Sequence, residues 1–141
     1  MGNYYNDDHV TKGDWEYVYV SDKDDTYLIY YRKTGDRAFV LTGNDDDLEI
    51  TPEFPYRLNR VELVFDDDTV KDIQVFKLPY IFPNQDYPLQ LREFLNNIDK
   101  NMTMYFDMND KSDMNDKLRL RINGTVSKKV WVIFTIQKLR R

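Results

Sequence analysis

Aspartate is the residue type with which this chain could do chemistry. Two triplets stand out: Asp45, Asp46 and Asp47 in "LTGNDDDLEI", and Asp66, Asp67 and Asp68 in "RVELVFDDDTVKDIQVF". Such runs suit three purposes: holding a hard cation, imitating a phosphate backbone, or ending a strand. A calcium loop needs oxygen ligands at alternate positions, a glycine at the sixth and a glutamate at the twelfth. "DMNDKSDMNDKL" from Asp107 offers Lys111 at the fifth position and Ser112 at the sixth, and "DKDDTY" from Asp22 offers Tyr27 at the sixth. Neither closes on an ion. Consecutive aspartates in an extended chain point to opposite sides, so a triplet such as Asp45 to Asp47, even helped by Glu49, is poor geometry for one cation. The sequence therefore predicts no metal and no cofactor. Each triplet stands where an apolar stretch stops, and aspartate favours turns over strands. The reading is a pair of turns whose charge also opposes edge-to-edge pairing.

Other routes to catalysis are thin. There is one histidine, His9, there is no cysteine, and the only serines are Ser21, Ser112 and Ser127. Nucleophilic triads, thiol chemistry and zinc sites lack their parts. No phosphate-cradling glycine loop is present. Glycoside hydrolysis needs two carboxyls at a set separation across a cleft. Glu16, Glu62, Asp72 and Glu93 are available, but nothing pairs them beyond an expected meeting of Glu62 and Asp72 across a hairpin. The chain is read as not an enzyme.

Charge is unevenly placed. Residues 1–70 hold 17 acidic and 7 basic side chains, whereas residues 71–141 hold 8 and 13. From Lys117 onward every charged side chain is basic: Lys117, Arg119, Arg121, Lys128, Lys129, Lys138, Arg140 and Arg141. One reading makes the acidic and basic segments sheet neighbours that neutralise each other. The other gives two binding patches, an acidic one of Asp45, Asp46, Asp47, Asp66, Asp67 and Asp68 and a basic one of Lys117, Arg119, Arg121, Lys128 and Lys129.

The elements that must position these groups read mostly as strands. Eleven tyrosines, eight phenylalanines and two tryptophans in 141 residues are too aromatic for disorder, and no apolar run approaches a membrane span. Residues 1–12 form a polar tail, and residues 13–141 a single β-rich domain. Strands are expected at 14–20, 26–32 and 37–42 as a meander, then at 57–65, 69–78, 102–108 and 117–123, with a short extended piece at 47–50. Asn123-Gly124 predicts a hairpin into a long final strand at 125–139, apolar on both faces and so internal to the sheet system. "PLQLREFLNNIDK" (88–100) carries Leu91, Phe94, Leu95 and Ile98 at helical spacing, and predicts one amphipathic helix capped by Asp86. The fold class is α+β, β-rich, with about eight mostly antiparallel strands in a meander or sandwich-like arrangement. The expected core is Val18, Ile29, Phe39, Val61, Leu63, Phe65, Leu91, Phe94, Leu95, Ile98, Leu118, Leu120, Val132 and Phe134.

Function follows by exclusion. The expectation is a non-catalytic protein-binding module of bacterial or phage origin, acting through the acidic and basic patches, with inhibition of a host protein as one role. Two alternatives stand beside it: an envelope or secreted lipoprotein-type domain whose leader lies outside this sequence, and an acidic mimic of nucleic acid. Another protein is the favoured partner. Nucleic acid ranks lower, because Trp131 beside the basic strand suits base stacking while the net charge is −5. The cytoplasm is slightly favoured. Replacing the Asp45 to Asp47 run with asparagine is expected to abolish partner capture while sparing the fold.

Overall fold

The computed structural model describes residues 15–43, 45–66, 71–78, 89–94, 101–106, 111–112 and 116–139. These contain eleven strands: β1 (Glu16–Lys23), β2 (Thr26–Thr34), β3 (Phe39–Leu41), β4 (Leu48–Ile50), β5 (Tyr56–Phe65), β6 (Asp72–Leu78), β7 (Leu89–Phe94), β8 (Asn101–Tyr105), β9 (Lys111–Ser112), β10 (Lys117–Val126) and β11 (Lys129–Lys138). All pairings are antiparallel and fall into two sheets. The first sheet runs β1-β2-β11-β5-β8, with β9 also on β5. The second runs β3-β10-β6-β7, with β4 also on β10.

Period-two burial shows why these residues form strands. In β10, Leu118, Leu120 and Ile122 are buried and Lys117, Arg119 and Arg121 are not. In β5, Tyr56, Leu58, Val61, Leu63 and Phe65 are buried. The inward residues of both sheets join in one core cluster, which makes the fold a β-sandwich. β11 lies between β2 and β5, and its Val130, Val132, Phe134 and Ile136 are fully buried at the centre. Each such side chain contributes roughly 1.5–3 kcal/mol by leaving water.

The helix expected at 88–100 is corrected. Residues Leu89–Phe94 form β7, paired with β6 from Ile73↔Phe94 to Lys77↔Leu89. "LQLRE" alternates as well as it follows a helical stripe. Extending along the edge of β6 satisfies a row of backbone groups there, which a short isolated helix cannot do. Among the described residues there is no helix. Leu95, Ile98 and Asp86 lie outside those residues, as does the tail at 1–12.

Three connections also differ from expectation. β3 does not continue a meander, because β2 pairs with β11 and β3 pairs with β10 in the other sheet. β5 and β6 lie in opposite sheets, so Glu62 and Asp72 do not face each other across a hairpin. Asn123-Gly124 makes no turn. β10 runs through it, with Asn123 opposite Asp72 and Gly124 opposite Leu41. Gly124 has φ 152°, a conformation that side chains disfavour. It stands where β10 changes neighbour from β4 to β3. The chain turns instead at Ser127 and Lys128 and crosses to the first sheet. Of the expected core, Val18 and Phe39 are only half-buried.

Candidate functional site

The first aspartate triplet lies between β3 and β4, which line up end to end along one edge of β10. Its members diverge. Asp45 is exposed. Asp46 folds the loop on itself by accepting from the Thr42 backbone N–H at 2.8 Å and the Thr42 hydroxyl at 3.1 Å. Its backbone oxygen accepts from the Trp15 indole at 2.7 Å, and Lys33 Nζ stands 3.8 Å from its carboxylate. Asp47 points at β10, only 1 % exposed.

Arg121 donates to Asp47 through Nε at 3.1 Å and Nη2 at 2.9 Å. Arg119 donates to Glu49 at 2.6 Å and stands 3.6 Å from Asp47. Lys117 stands 3.6 Å from Glu49. The hydrogen bond to Asp47 raises the Arg121 pKa above its ordinary value. Gly43 makes room for this, since a Cβ there would meet the Arg121 side chain, and its N–H donates to Asn123 Oδ1 at 2.7 Å. The strand-face cations and the acidic segment thus neutralise each other in one ladder. Asp66, Lys128 and Lys129 stand apart from it. Asp66 accepts from the Lys128 backbone N–H at 3.0 and 3.2 Å, and closes the turn before β11. The side chains of Lys128 and Lys129 are exposed. Asp67 and Asp68 lie outside the described residues.

The outer face of the first sheet is built differently. Register lays one row as Glu16, Arg32, Trp131 and Val64. The next row is Tyr30, Ile133, Glu62 and Thr103, and the third is Leu28, Thr135, Arg60 and Tyr105. Tyr105 is 65 % exposed and Val64 38 %. The Arg32 guanidinium lies over the Trp131 ring at 5.4 Å and donates to both Glu16 oxygens at 2.9 Å. That hydrogen bonding holds the Glu16 carboxyl below its ordinary pKa and raises that of Arg32. Arg60 pairs with Glu62 at 2.9 Å. The result is a partly exposed aromatic and aliphatic surface in which Arg32 is locked to Glu16 and Arg60 to Glu62.

This face carries one irregularity. Thr135 faces Arg60 but Ile136 faces Leu58, so Asn59 is the extra residue of a β-bulge. Its backbone oxygen accepts from the Phe106 N–H at 3.1 Å. Among the described residues, three buried side-chain polar atoms have no hydrogen-bond partner: Arg57 Nε, Asn59 Oδ1 and Thr135 Oγ1. All three belong to the bulge and its immediate neighbours. Sequence reasoning passed over them, yet a signal was present. In "YRLNRVELVF" the inward residues are spaced by two, except for a gap of three from Leu58 to Val61.

No protein-family model matches the chain, and no curated protein sequence matches it. Several solved structures resemble it at low identity. A mutant family 29 carbohydrate-binding module is 10 % identical with a TM-score of 0.45, over 98 % of this chain and 84 % of that one. A second structure of a family 29 carbohydrate-binding module is 10 % identical with a TM-score of 0.44, over 97 % and 80 %. A family 32 module from a family 31 glycoside hydrolase of Clostridium perfringens is 9 % identical with a TM-score of 0.40, over 89 % and 91 %.

Proposed function

We propose that this chain is a non-catalytic binding module that takes a carbohydrate chain across the outer face of its first sheet. The observation that carries the reading is the composition of that face. Trp131, Tyr30 and the 65 % exposed Tyr105 present ring surface, while the Arg32–Glu16 and Arg60–Glu62 pairs present fixed donors and acceptors beside it. Sugars have apolar C–H faces that stack on aromatic rings, and hydroxyl rims that take hydrogen bonds from planar charged groups. Trp131 and Tyr105 are two strands and four residues apart, about 16 Å by ordinary sheet spacing. That length suits an extended oligosaccharide. The resemblance to carbohydrate-binding modules adds no weight at this similarity. The acidic and basic ladder makes a weaker contact surface, because its Asp47 and Glu49 carboxylates are buried against β10.

A protein partner is the second reading, favoured by the exposure of Tyr105 and Val64, since tyrosine is enriched in protein interfaces. Affinity electrophoresis against a panel of neutral and acidic polysaccharides decides between them. Retardation by a polysaccharide, lost on Trp131→Ala or Tyr105→Ala with the melting temperature preserved, is the expected result. Retardation by none of them, with a protein captured from lysate in a Tyr105-dependent way, overturns the carbohydrate reading.

A further inference from the structure

The first sheet's outer face carries three arginines in different circumstances. Arg32 is paired with Glu16 and Arg60 with Glu62. Among the described residues Arg57 has no carboxylate within ion-pair distance, and its buried Nε has no acceptor. Alternation with the buried Tyr56 and Leu58 puts Arg57 on the outer face, opposite Gln137. Thr135, between the buried Phe134 and Ile136, shares that face and is itself only 4 % exposed. Strand spacing sets the Arg57 and Thr135 backbones about 8 Å apart, and both flank Asn59 at the bulge. Buried polar groups in folded proteins are nearly always paired, and each exception needs a reason. Three such exceptions at one bulge, beside the most exposed aromatic ring among the described residues, form a set with complementary roles: a cationic N–H donor, a carbonyl acceptor and a hydroxyl that does either.

We infer that this bulge is the subsite for an acidic sugar residue, whose carboxylate pairs with Arg57 and whose hydroxyls satisfy Asn59 Oδ1 and Thr135 Oγ1. The inference rests on the carbohydrate reading and narrows it to uronate-bearing chains. A guanidinium is the group best shaped to take a carboxylate through two N–H bonds, and among the described residues Arg57 is left without one. Tyr105 of β8 is paired with Arg60 of β5 and, 65 % exposed, supplies the ring for the sugar's apolar face. The competing account is that one ordered water serves all three atoms.

The test is isothermal titration of the full chain with hexasaccharides of galacturonate and of glucuronate, and with uncharged hexasaccharides of glucose and xylose. The variants are Arg57→Gln, Thr135→Val and Trp131→Ala. The expected result is at least tenfold preference for an acidic oligosaccharide, weakening with salt. Arg57→Gln should erase that preference, and Thr135→Val should weaken acidic-sugar binding about fivefold. Thr135→Val should leave the melting temperature unchanged or raised, because it removes a hydroxyl with no partner, so its loss of affinity cannot come from unfolding. Equal affinity for neutral and acidic oligosaccharides, or indifference to both bulge variants while Trp131→Ala abolishes binding, overturns the acidic subsite and leaves a water at the bulge and the carbohydrate face intact. Absence of binding to every oligosaccharide overturns both.

Discussion

Replacing Asp47 by asparagine removes one carboxylate and leaves two guanidiniums. Asp47 is 1 % exposed and accepts two hydrogen bonds from Arg121. Breaking a buried ion pair from one side costs about 3–5 kcal/mol, because the remaining charge is left desolvated. Here the Arg119 and Arg121 side chains keep 19 % and 20 % exposure, so water recovers part of that charge. The expected loss is about 2–3 kcal/mol, or a fall in urea midpoint of about 1 M. The neighbouring Asp45→Asn should stay within about 0.5 kcal/mol, since Asp45 is exposed. A double-mutant cycle with Arg121→Gln should show coupling of about 1–2 kcal/mol. Gly43→Ala, whose Cβ would stand 2.5 Å from Arg121 Cδ, should act on the same pair and be non-additive with Asp47→Asn. Urea unfolding followed by tryptophan fluorescence measures all of these. If Asp47→Asn costs no more than Asp45→Asn, the ladder is not what holds β4 to β10. The geometry also revises the expectation that the whole triplet can be neutralised without harm to the fold.

Two further outcomes follow from single side chains. Burial foremost, then Asp22 and Asp25, raises the Tyr27 pKa above its ordinary 10.0. The folded state therefore keeps this proton where the unfolded chain has lost it, and the contribution present below about pH 10 is lost as pH rises through and beyond that value. Tyr27→Phe should flatten the fall in melting temperature between pH 9.5 and 11 (an alkaline range of about 1.5 units around the free tyrosine pKa), and an unchanged slope would count against it. In the β1–β2 turn, Asp24 and Asp25 have φ of 54° and 64°, the left-handed pair of a two-residue hairpin. Asp25→Gly should stabilise by about 0.5–1 kcal/mol and Asp25→Val should destabilise, as thermal melts would show; the reverse order would mean the Asp25 side chain outweighs its backbone strain.

Local chemistry made the strands legible. Val61, Leu63 and Phe65, or Leu118, Leu120 and Ile122, alternate with polar residues because the pleat sends successive side chains to opposite faces. That pattern survives whichever strand lies alongside. The neutralising contact between the acidic first half and the basic last quarter was also legible as charge, and the structure makes it at Asp47, Glu49, Lys117, Arg119 and Arg121. The sequence even marks the β5 bulge, in the gap from Leu58 to Val61.

Tertiary structure decided which strands meet. Asn123-Gly124 has the composition of a hairpin, yet β10 finds β6, β4 and β3 as its partners and passes straight through. "LQLREF" carries a helical stripe, yet the open edge of β6 draws it into the sheet. The partnering of Arg32 and Arg60, and the lack among the described residues of a partner for Arg57 Nε, depend on which residues the neighbouring strands and the bulge bring alongside. Each of these is settled by backbone groups and apolar faces far apart in the chain. Their pairing free energy exceeds the fraction of a kilocalorie that separates turn, helix and strand for a few residues, and no local pattern records it.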